Sequence, residues 1–415
     1  MKRGSISNFL NPKTIAVVGA SDNPQKVGGV LMNKLVKFTG KIIPVNINRD
    51  IVLGIKCYRK VDDYPGEIDM AIIAIPAKTV PYVLEDCGKK RIKNIIVISS
   101  GFSEVENFKP EKQISNIVKR YNMNLLGPNC FGIANPYLNL DSTFSNTAPK
   151  KGNIAFLSQS GALWSYISDY SSKKIGFSGF VSLGNMVDLD FTDFIKYFSK
   201  DKKTKKIILY IEKLKDGRRF IEICRKCKKE IIAVKAGKSE KGSKAALSHT
   251  GSLATDFEIY KGAFKQANVK LADSLASAFN LPETRTIPFK IKGKKAVILT
   301  NAGGAGALGT DYLEENRFKL VKAPIDLLGT ALAEDYESAL NKLKDKKFYD
   351  FAIVILTPQK MSEPEKTAEV IVKFSKHRKI IACFLGDKSI KKAKQILEKN
   401  KIPCFTQIRQ IKKII

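Results

Sequence analysis

The chain has 415 residues, 44% hydrophobic and 27% charged, and its 72 Lys and Arg against 40 Asp and Glu give a formal net charge of +32. That length provides for two or three globular domains. No stretch approaches the ~18 consecutive apolar residues of a membrane helix, and MKRGSISNFLNPKTIAVVGAS has no long apolar run before a small-residue cleavage site. Neither a membrane role nor a signal peptide is expected, and the expected location is cytoplasmic.

The positive charge comes from 60 lysines and only 12 arginines, spread over nearly the whole chain. A nucleic-acid surface is usually marked by arginine and aromatic interleaving, so no specific nucleic-acid partner is expected. The charge is read as lysine-rich solvated surface or as an attraction for anions, whether polyphosphate ligands or an acidic partner. Seven cysteines, an odd number, argue against a disulfide framework. Cys224 and Cys227 form a CxxC on an amphipathic helical pattern, with no second CxxC and no nearby histidine. They are read as packing residues, and no metal is expected.

Along the chain, short Ile- and Val-rich runs alternate with helical patterns. Residues 14–20, 41–46, 70–76, 94–101 and 124–129 read as buried strands, each ending in small or turn residues. Between them lie amphipathic stretches such as VGGVLMNKLVKF and PEKQISNIVKRY, and the alternation predicts βαβ units around a parallel sheet. The pattern restarts at GNIAFLSQSGALWSYISDYSSK (152–173) and again at KKAVILTNAGGAGALGTDYLEEN (294–316). Seams fall near 140–150 and 282–294, both rich in Pro, Lys and turn residues.

Each restart places glycine or serine where a strand hands over to a helix, the position at which open α/β sheets bind ligands. VVGASDNPQKVGG reads as a nucleotide turn or as a tight packing turn, since it is not GxGxxG. The second strand ends in PVNINRD, with Asn46, Asn48 and Arg49 rather than an acidic residue at its tip. This favours a phosphorylated ribose. In FLSQSGALW the serines can cap a helix or bind an anion. The glycines of LTNAGGAGALG allow close approach of a ligand or another chain. One of only two histidines, His249, lies among small and hydroxyl residues in AALSHTGSLA, and His377 is flanked by cations on a helical pattern.

Taken together, NPKTIAVVGASDNPQKVG, IPVN, LGPNCFGIAN, LSQSGAL, SLGN, YIEKLKDGRRF and KAGKSEKGSKAALSHTGSLA resemble, in this order, the NDP-forming acyl-CoA synthetases. The match is above all to the α subunit of the ADP-forming acetyl-CoA type, with the succinyl-CoA synthetase α subunit more distant. The resemblance implies an α/β chain of three consecutive parallel-sheet domains. These are a Rossmann-like CoA-binding domain (1–145), a flavodoxin-like CoA-ligase domain with a phosphohistidine loop (146–285) and a third flavodoxin-like domain (290–415).

It further implies the reversible reaction of acyl-CoA, ADP and phosphate to carboxylate, CoA and ATP, through an acyl phosphate and a phosphohistidine. His249 would carry the phosphoryl group, as an imidazole nucleophilic near neutral pH can. Glu212 would orient it. Gly19, Ala20, Ser21, Lys26, Val45 and Asn46 would hold coenzyme A, together with Ile75, Pro76, Ser99 and Gly101. Asn129, Ser158, Ser160, Gly161 and Gly184 would bind phosphate.

Four positions depart from the family pattern. Lys213 follows the glutamate where a small residue is more usual. Ile47 and Asn48 replace a Pro-Lys pair, with Arg49 as a substitute cation, and Ala305 replaces a common proline. No stretch resembles an ATP-grasp domain and no GxxxxGK[ST] occurs. ADP or ATP and Mg²⁺ are therefore expected on a separate ATP-grasp β subunit, in an α2β2 heterotetramer. The alternatives are a non-catalytic CoA-binding regulator or scaffold, which would need neither His249 nor Glu212, and a nicotinamide oxidoreductase, disfavoured by the missing GxGxxG.

Overall fold

The computed structural model describes residues 3–170, 175–244, 256–282, 285–287 and 289–414. His249 lies outside the described residues. The first sheet contains β1 (Thr14–Val18), β2 (Lys41–Val45), β5 (Met70–Ile73), β6 (Asn94–Val97) and β7 (Asn124–Leu126), in the order β2-β1-β5-β6-β7, all parallel. A small hairpin, β3 (Ile51–Val52) with β4 (Ile55–Lys56), stands beside it. The central strands are apolar on both faces because helices cover both faces. Helix Phe108–Arg120, for example, buries Ile114, Ile117 and Val118.

The second sheet is built on β10 (Lys151–Ser158), β11 (Phe177–Ser182), β12 (Lys206–Ile211), β13 (Glu230–Lys235) and β14 (Lys270–Leu271), in the order β14-β13-β12-β10-β11. Beyond β11 it is extended by the antiparallel strands β8 (Ile133–Asn135) and β9 (Leu140–Asp141). The changeover between sheets thus falls between Leu126 and Ile133, which differs from the boundary expected at residues 145 and 146. The reason is local: Val181 pairs with Ile133, and the Phe131 amide donates to Ser182 Oγ at 2.8 Å, which draws this segment onto the second sheet.

The third sheet places β16 (Lys319–Leu320), β15 (Lys295–Thr300), β18 (Phe351–Leu356), β19 (Lys379–Phe384) and β20 (Cys404–Phe405) in the order β16-β15-β18-β19-β20, with β17 (Ile325–Asp326) pairing the far end of β15. Counted by their five main parallel strands, all three sheets have the doubly wound order 2-1-3-4-5. In each, the first strand is the switch point, and its carboxyl end opens a crevice.

Helix Gly303–Glu315 joins the second and third domains. Every residue from Gly304 to Leu313 is buried, as befits a helix lying between two sheets rather than against one. It shares one core with Phe156, Trp164 and Tyr210, in which the Trp164 and Phe180 rings stack at 4.1 Å. Asp169 reinforces this junction by accepting from the Asp387 and Ser389 amides at 2.8 and 2.9 Å. Among the described residues no helix is long and apolar enough to cross a membrane.

All seven cysteines are free, six of them buried. Cys224 is packed on helix Gly217–Lys226, where burial pushes its thiol up to about 12. His377 is exposed, in the turn just past helix Pro364–Ser375 rather than within the helix.

Candidate active site

A cleft of about 770 Å³ opens where the three first-strand ends meet. Gly19 follows β1, Gln159 to Gly161 follow β10, and Asn301 to Gly303 follow β15, and all of these line it.

On the first-domain side, Gly19 adopts φ +88°, and an added Cβ would overlap the Ala74 carbonyl. The helix after this turn, Val27–Leu35, has Lys26 as its N-cap with no side-chain cap bond. A free helix N-terminus beside a lysine ammonium suits a pyrophosphate. Ile75 and Pro76 also line the cleft, as does Ser99. Ser99 joins neighbouring strand ends: its Oγ accepts from the Ile75 amide at 3.2 Å and its carbonyl from the Asn129 amide at 2.9 Å.

Other expected CoA residues lie behind this wall. The Val45 carbonyl accepts from the Gly19 and Ala20 amides at 2.9 and 3.3 Å, and Asn46 Nδ2 donates to the Ala20 carbonyl at 2.8 Å. Ser21 is buried, its hydroxyl accepting from the Asn23 amide at 3.1 Å. Gly101, at φ +105°, donates its amide to Glu104. Ala20, Ser21, Val45 and Asn46 shape the turn after β1, and Gly101 the loop after β6, instead of lining the cleft. Arg49 pairs with Asp22 at 3.3 Å, beside the same turn.

On the second-domain side, Ser160 and Gly161 face the cleft, and Asn129 reaches it from the end of β7. Ser158 does not: it is buried and donates to the Ser160 carbonyl at 2.6 Å, fixing the turn from below. Gly184, at φ +57°, lies so close to the Pro128 carbonyl that no side chain fits there. It supports the Asn129 turn, where Asn129 Nδ2 donates to Asn185 Oδ1 at 3.3 Å. The close approach expected of the third turn is to another domain of the same chain. A Cβ on Gly304 would stand 2.7 Å from both Cβ and Oγ of Ser160.

Glu212 follows β12 and is only 7% exposed. That excludes the surface salt bridge, the ordinary role for a strand-end carboxylate. Gln159, which the sequence did not single out, connects it to the cleft. Gln159 Oε1 accepts from the Glu212 and Lys213 amides at 2.7 and 2.8 Å. Because this oxygen accepts twice, the amide orientation is fixed, and Nε2, buried and without a partner, is a spare donor. A spare donor beside Ser160 and Gly161 fits a phosphate oxygen.

Two charged groups sit beneath Glu212. Lys235, at the end of β13, is 3% exposed, donates to the Ala236 carbonyl and lies 4.4 Å above the Tyr260 ring. Burial pushes its ammonium down to about 8, against the upward pull of Asp311 and Glu212. Asp311, from the shared helix, accepts from the Gly237 amide (2.8 Å), the Ser239 amide (2.9 Å) and the Ser239 hydroxyl (3.0 Å). The third domain therefore grips the KAGKSEKG segment that leads to residue 245. Among the described residues no group of three or more His, Cys, Asp or Glu is placed to hold a metal.

Comparison with known proteins agrees with this geometry. Residues 13–136 match a family model described as a CoA binding domain, and 151–284 one described as a succinyl-CoA ligase like flavodoxin domain. The fold and site thus define a CoA-binding module joined to a ligase-type flavodoxin module.

The acetate–CoA ligase [ADP-forming] II subunit alpha of Pyrococcus furiosus is 41% identical, over 96% of this chain and 93% of that one. The acetate–CoA ligase [ADP-forming] of Methanocaldococcus jannaschii is 40% identical over 95% of this chain, which spans only 60% of that longer protein. Among solved structures, the dinucleotide forming acetyl-coenzyme A synthetase 1 of Ca. Korarchaeum cryptofilum, in complex with phosphate and ADP, superposes with a TM-score of 0.65. The two chains are 33% identical, over 98% of this chain and 95% of that one. The chain belongs to the ADP-forming acetate–CoA ligase family.

Proposed function

We propose that the chain is the α subunit of an ADP-forming acyl-CoA synthetase, converting acyl-CoA, ADP and phosphate reversibly to carboxylate, CoA and ATP. The observation that carries this reading is the single cleft joining the Lys26 helix terminus to the Ser160–Gly161 turn. It can hold the CoA polyphosphate at one side and a reacting phosphate at the other. The relatives, named as ligases, favour catalysis over a CoA-binding regulator.

In the proposed sequence, a phosphate oxygen attacks the thioester carbonyl and the C–S bond breaks, releasing CoA thiolate and leaving an acyl phosphate. Gln159 Nε2, Ser160 and the Gly161 amide would bind the phosphate oxygens. A nitrogen of His249 then attacks phosphorus and the acyl oxygen leaves as carboxylate. Glu212 would accept from the other ring N–H, fixing the tautomer and stabilising the imidazolium. ADP finally takes the phosphoryl group and restores the imidazole.

The ADP site, with its Mg²⁺, is assigned to an ATP-grasp β subunit in an α2β2 assembly. The two lengths of relative support a second polypeptide: those named alpha subunits match nearly end to end, whereas a longer relative is matched over 60%. We place the enzyme in the cytoplasm, a reading supported by seven free cysteines.

The test is to assay the chain with and without a co-expressed partner subunit. The chain alone should bind CoA without forming ATP, and the pair should make ATP from acetyl-CoA, ADP and phosphate. ATP formation by the chain alone would contradict the two-subunit reading.

A further inference from the structure

We propose that Asn185 is a positioning residue for the reacting phosphate: it turns the side-chain amide of Asn129 toward the cleft and holds the Glu104 carboxylate back from the same space. This rests on the function proposed above and adds a residue to its phosphate site.

Asn185 closes the SLGN segment that follows β11, and it is buried. Its main chain is clamped to the turn it serves. The Asn185 amide donates to the Pro128 carbonyl at 2.9 Å, and the Val187 amide to the Gly127 carbonyl at 3.2 Å. Asn129 itself is held at φ +54°. Both asparagines therefore have fixed backbones, and what remains to be set is which way each side-chain amide points.

The first domain sets that direction. Asn185 Nδ2 lies 2.7 Å from Glu104 Oε2, 3.0 Å from Glu111 Oε2 and 3.1 Å from Ser103 Oγ. A carboxylate only accepts, so the end of the amide that meets two of them must be its nitrogen. The oxygen is then the end turned to Asn129, and it accepts from Asn129 Nδ2 at 3.3 Å. An amide nitrogen carries two protons. One goes to Asn185, and the other is left for the cleft that Asn129 lines. An asparagine free to flip could present its oxygen instead, which would repel a phosphate.

Glu104 also lines the cleft, a negative charge where a phosphate has to enter. Its Oε1 accepts from the Gly101 and Phe102 amides and its Oε2 from Asn185, so three N–H groups hold and stabilise the carboxylate. Glu111, on helix Phe108–Arg120, is tied in the same way by the Ser103 amide and hydroxyl at 3.2 and 2.6 Å. Asn185 is the second-domain member of this otherwise first-domain cluster.

The charges around Asn185 come from three segments. Glu104 and Glu111 belong to the first domain. Lys213 and Lys215 follow β12: burial holds the Lys213 ammonium down against the pull of Glu111 and Glu212, and Lys215 donates to the Val187 and Asp188 carbonyls at 3.2 and 3.0 Å. Asp188 accepts from Arg3 and from the Leu125 amide. A carboxyl in place of the Asn185 amide would face Glu104 and Glu111 directly, and like charge and burial would both keep it protonated above the usual carboxylate range. Lys213 offsets only part of this, its charge being shared with Glu111 and Glu212. The protonated carboxyl would donate to a glutamate and accept from Asn129, as the amide does; the ionised one could not donate.

The test is steady-state kinetics of the chain with its partner subunit, varying phosphate at saturating acetyl-CoA and ADP, with CoA titration of each variant as the control. Asn185→Leu should lower kcat/KM for phosphate by about 10- to 100-fold at every pH, the scale of a misplaced binding group. CoA affinity should stay within about twofold of wild type. Asn185→Asp, expressed relative to wild type, should show a similar loss at about pH 8 and regain about tenfold or more at about pH 6, as the new carboxyl takes up its proton. This variant keeps the shape of the side chain, so it decides the matter even if the leucine variant does not fold. Wild-type phosphate kinetics in Asn185→Leu, an Asn185→Asp ratio that does not change with pH, or CoA affinity lost in step with phosphate would overturn this proposal alone. A wild-type pair that makes no ATP from acetyl-CoA, ADP and phosphate would overturn the function it rests on, and this proposal with it.

Discussion

Gln159 holds Glu212 by its backbone: one amide oxygen accepts from the N–H groups of Glu212 and Lys213 at 2.7 and 2.8 Å, across the gap between two strand ends. The carboxylate assigned to the histidine is therefore placed by a residue of the phosphate turn. Gln159→Leu should lower phosphoryl transfer to ADP by about 10- to 100-fold, the usual scale for a misplaced catalytic group. CoA affinity should stay within about twofold, because the first-domain turn is untouched. Transfer rates and CoA titration on one preparation decide it, and unchanged transfer would reduce Gln159 to packing.

The first-domain wall makes a separate prediction. Lys26→Met removes the ammonium at an otherwise uncapped helix terminus while leaving most of the aliphatic stem. CoA should bind about 10- to 150-fold more weakly, as expected for one lost charge-assisted contact of roughly 1.5–3 kcal/mol, and the melting temperature should not fall. Dephospho-CoA measured alongside shows whether the lysine serves the pyrophosphate or the ribose phosphate: a pyrophosphate role gives the same loss for both ligands.

Gly304→Ala tests the contact between domains. The new Cβ would stand 2.7 Å from Ser160 Cβ, which cannot move without its backbone, and 2.8 Å from the buried Tyr210 hydroxyl. A cost of about 1–3 kcal/mol is expected from overpacking, with a drop in activity because the displaced neighbour is the phosphate turn. Thermal unfolding and turnover measured together check both, and full activity at full stability would mean the two domains separate easily.

Much of the fold was legible because the signal is short-range. TIAVV, MAII and NIIV are apolar runs ended by small residues, and the three strand-to-helix turns announced themselves by glycine and serine at each restart. Gln159 was not legible. Between two serines, Gln159 reads as one more turn residue, and its role depends on Glu212, 53 positions away. A first domain ending at residue 145 would include Ile133–Asn135, whereas the pairing of this strand with β11 places it in the second sheet.

Lys235 carries a pH prediction. Burial holds its folded pKa at about 8, below the ordinary lysine value of 10.5. Between those values the unfolded chain holds a proton that the folded one does not, so this group's contribution to stability rises with pH from about 8 to 10.5. Below pH 8 it is a constant penalty, of order 3 kcal/mol at one pKa unit per 1.36 kcal/mol. The stability of Lys235→Met relative to wild type should therefore be more favourable at pH 7 than at pH 10. Denaturant titrations of both proteins at the two pH values give the difference, and a pH-independent difference would mean that burial does not depress this lysine.

The central claim, that this chain carries the phosphoryl group on His249, is tested most directly by labelling. The α chain is incubated with its partner subunit, Mg²⁺ and ATP bearing a labelled γ-phosphate, and the bond on the α chain is then characterised. The account predicts one acid-labile, base-stable phosphoramidate, mapped to His249, absent from His249→Ala and retained in His377→Ala, with the His249→Ala protein as stable as wild type. Label retained in His249→Ala, or a wild-type chain that never takes label while the pair still makes ATP from acyl-CoA, ADP and phosphate, would contradict it.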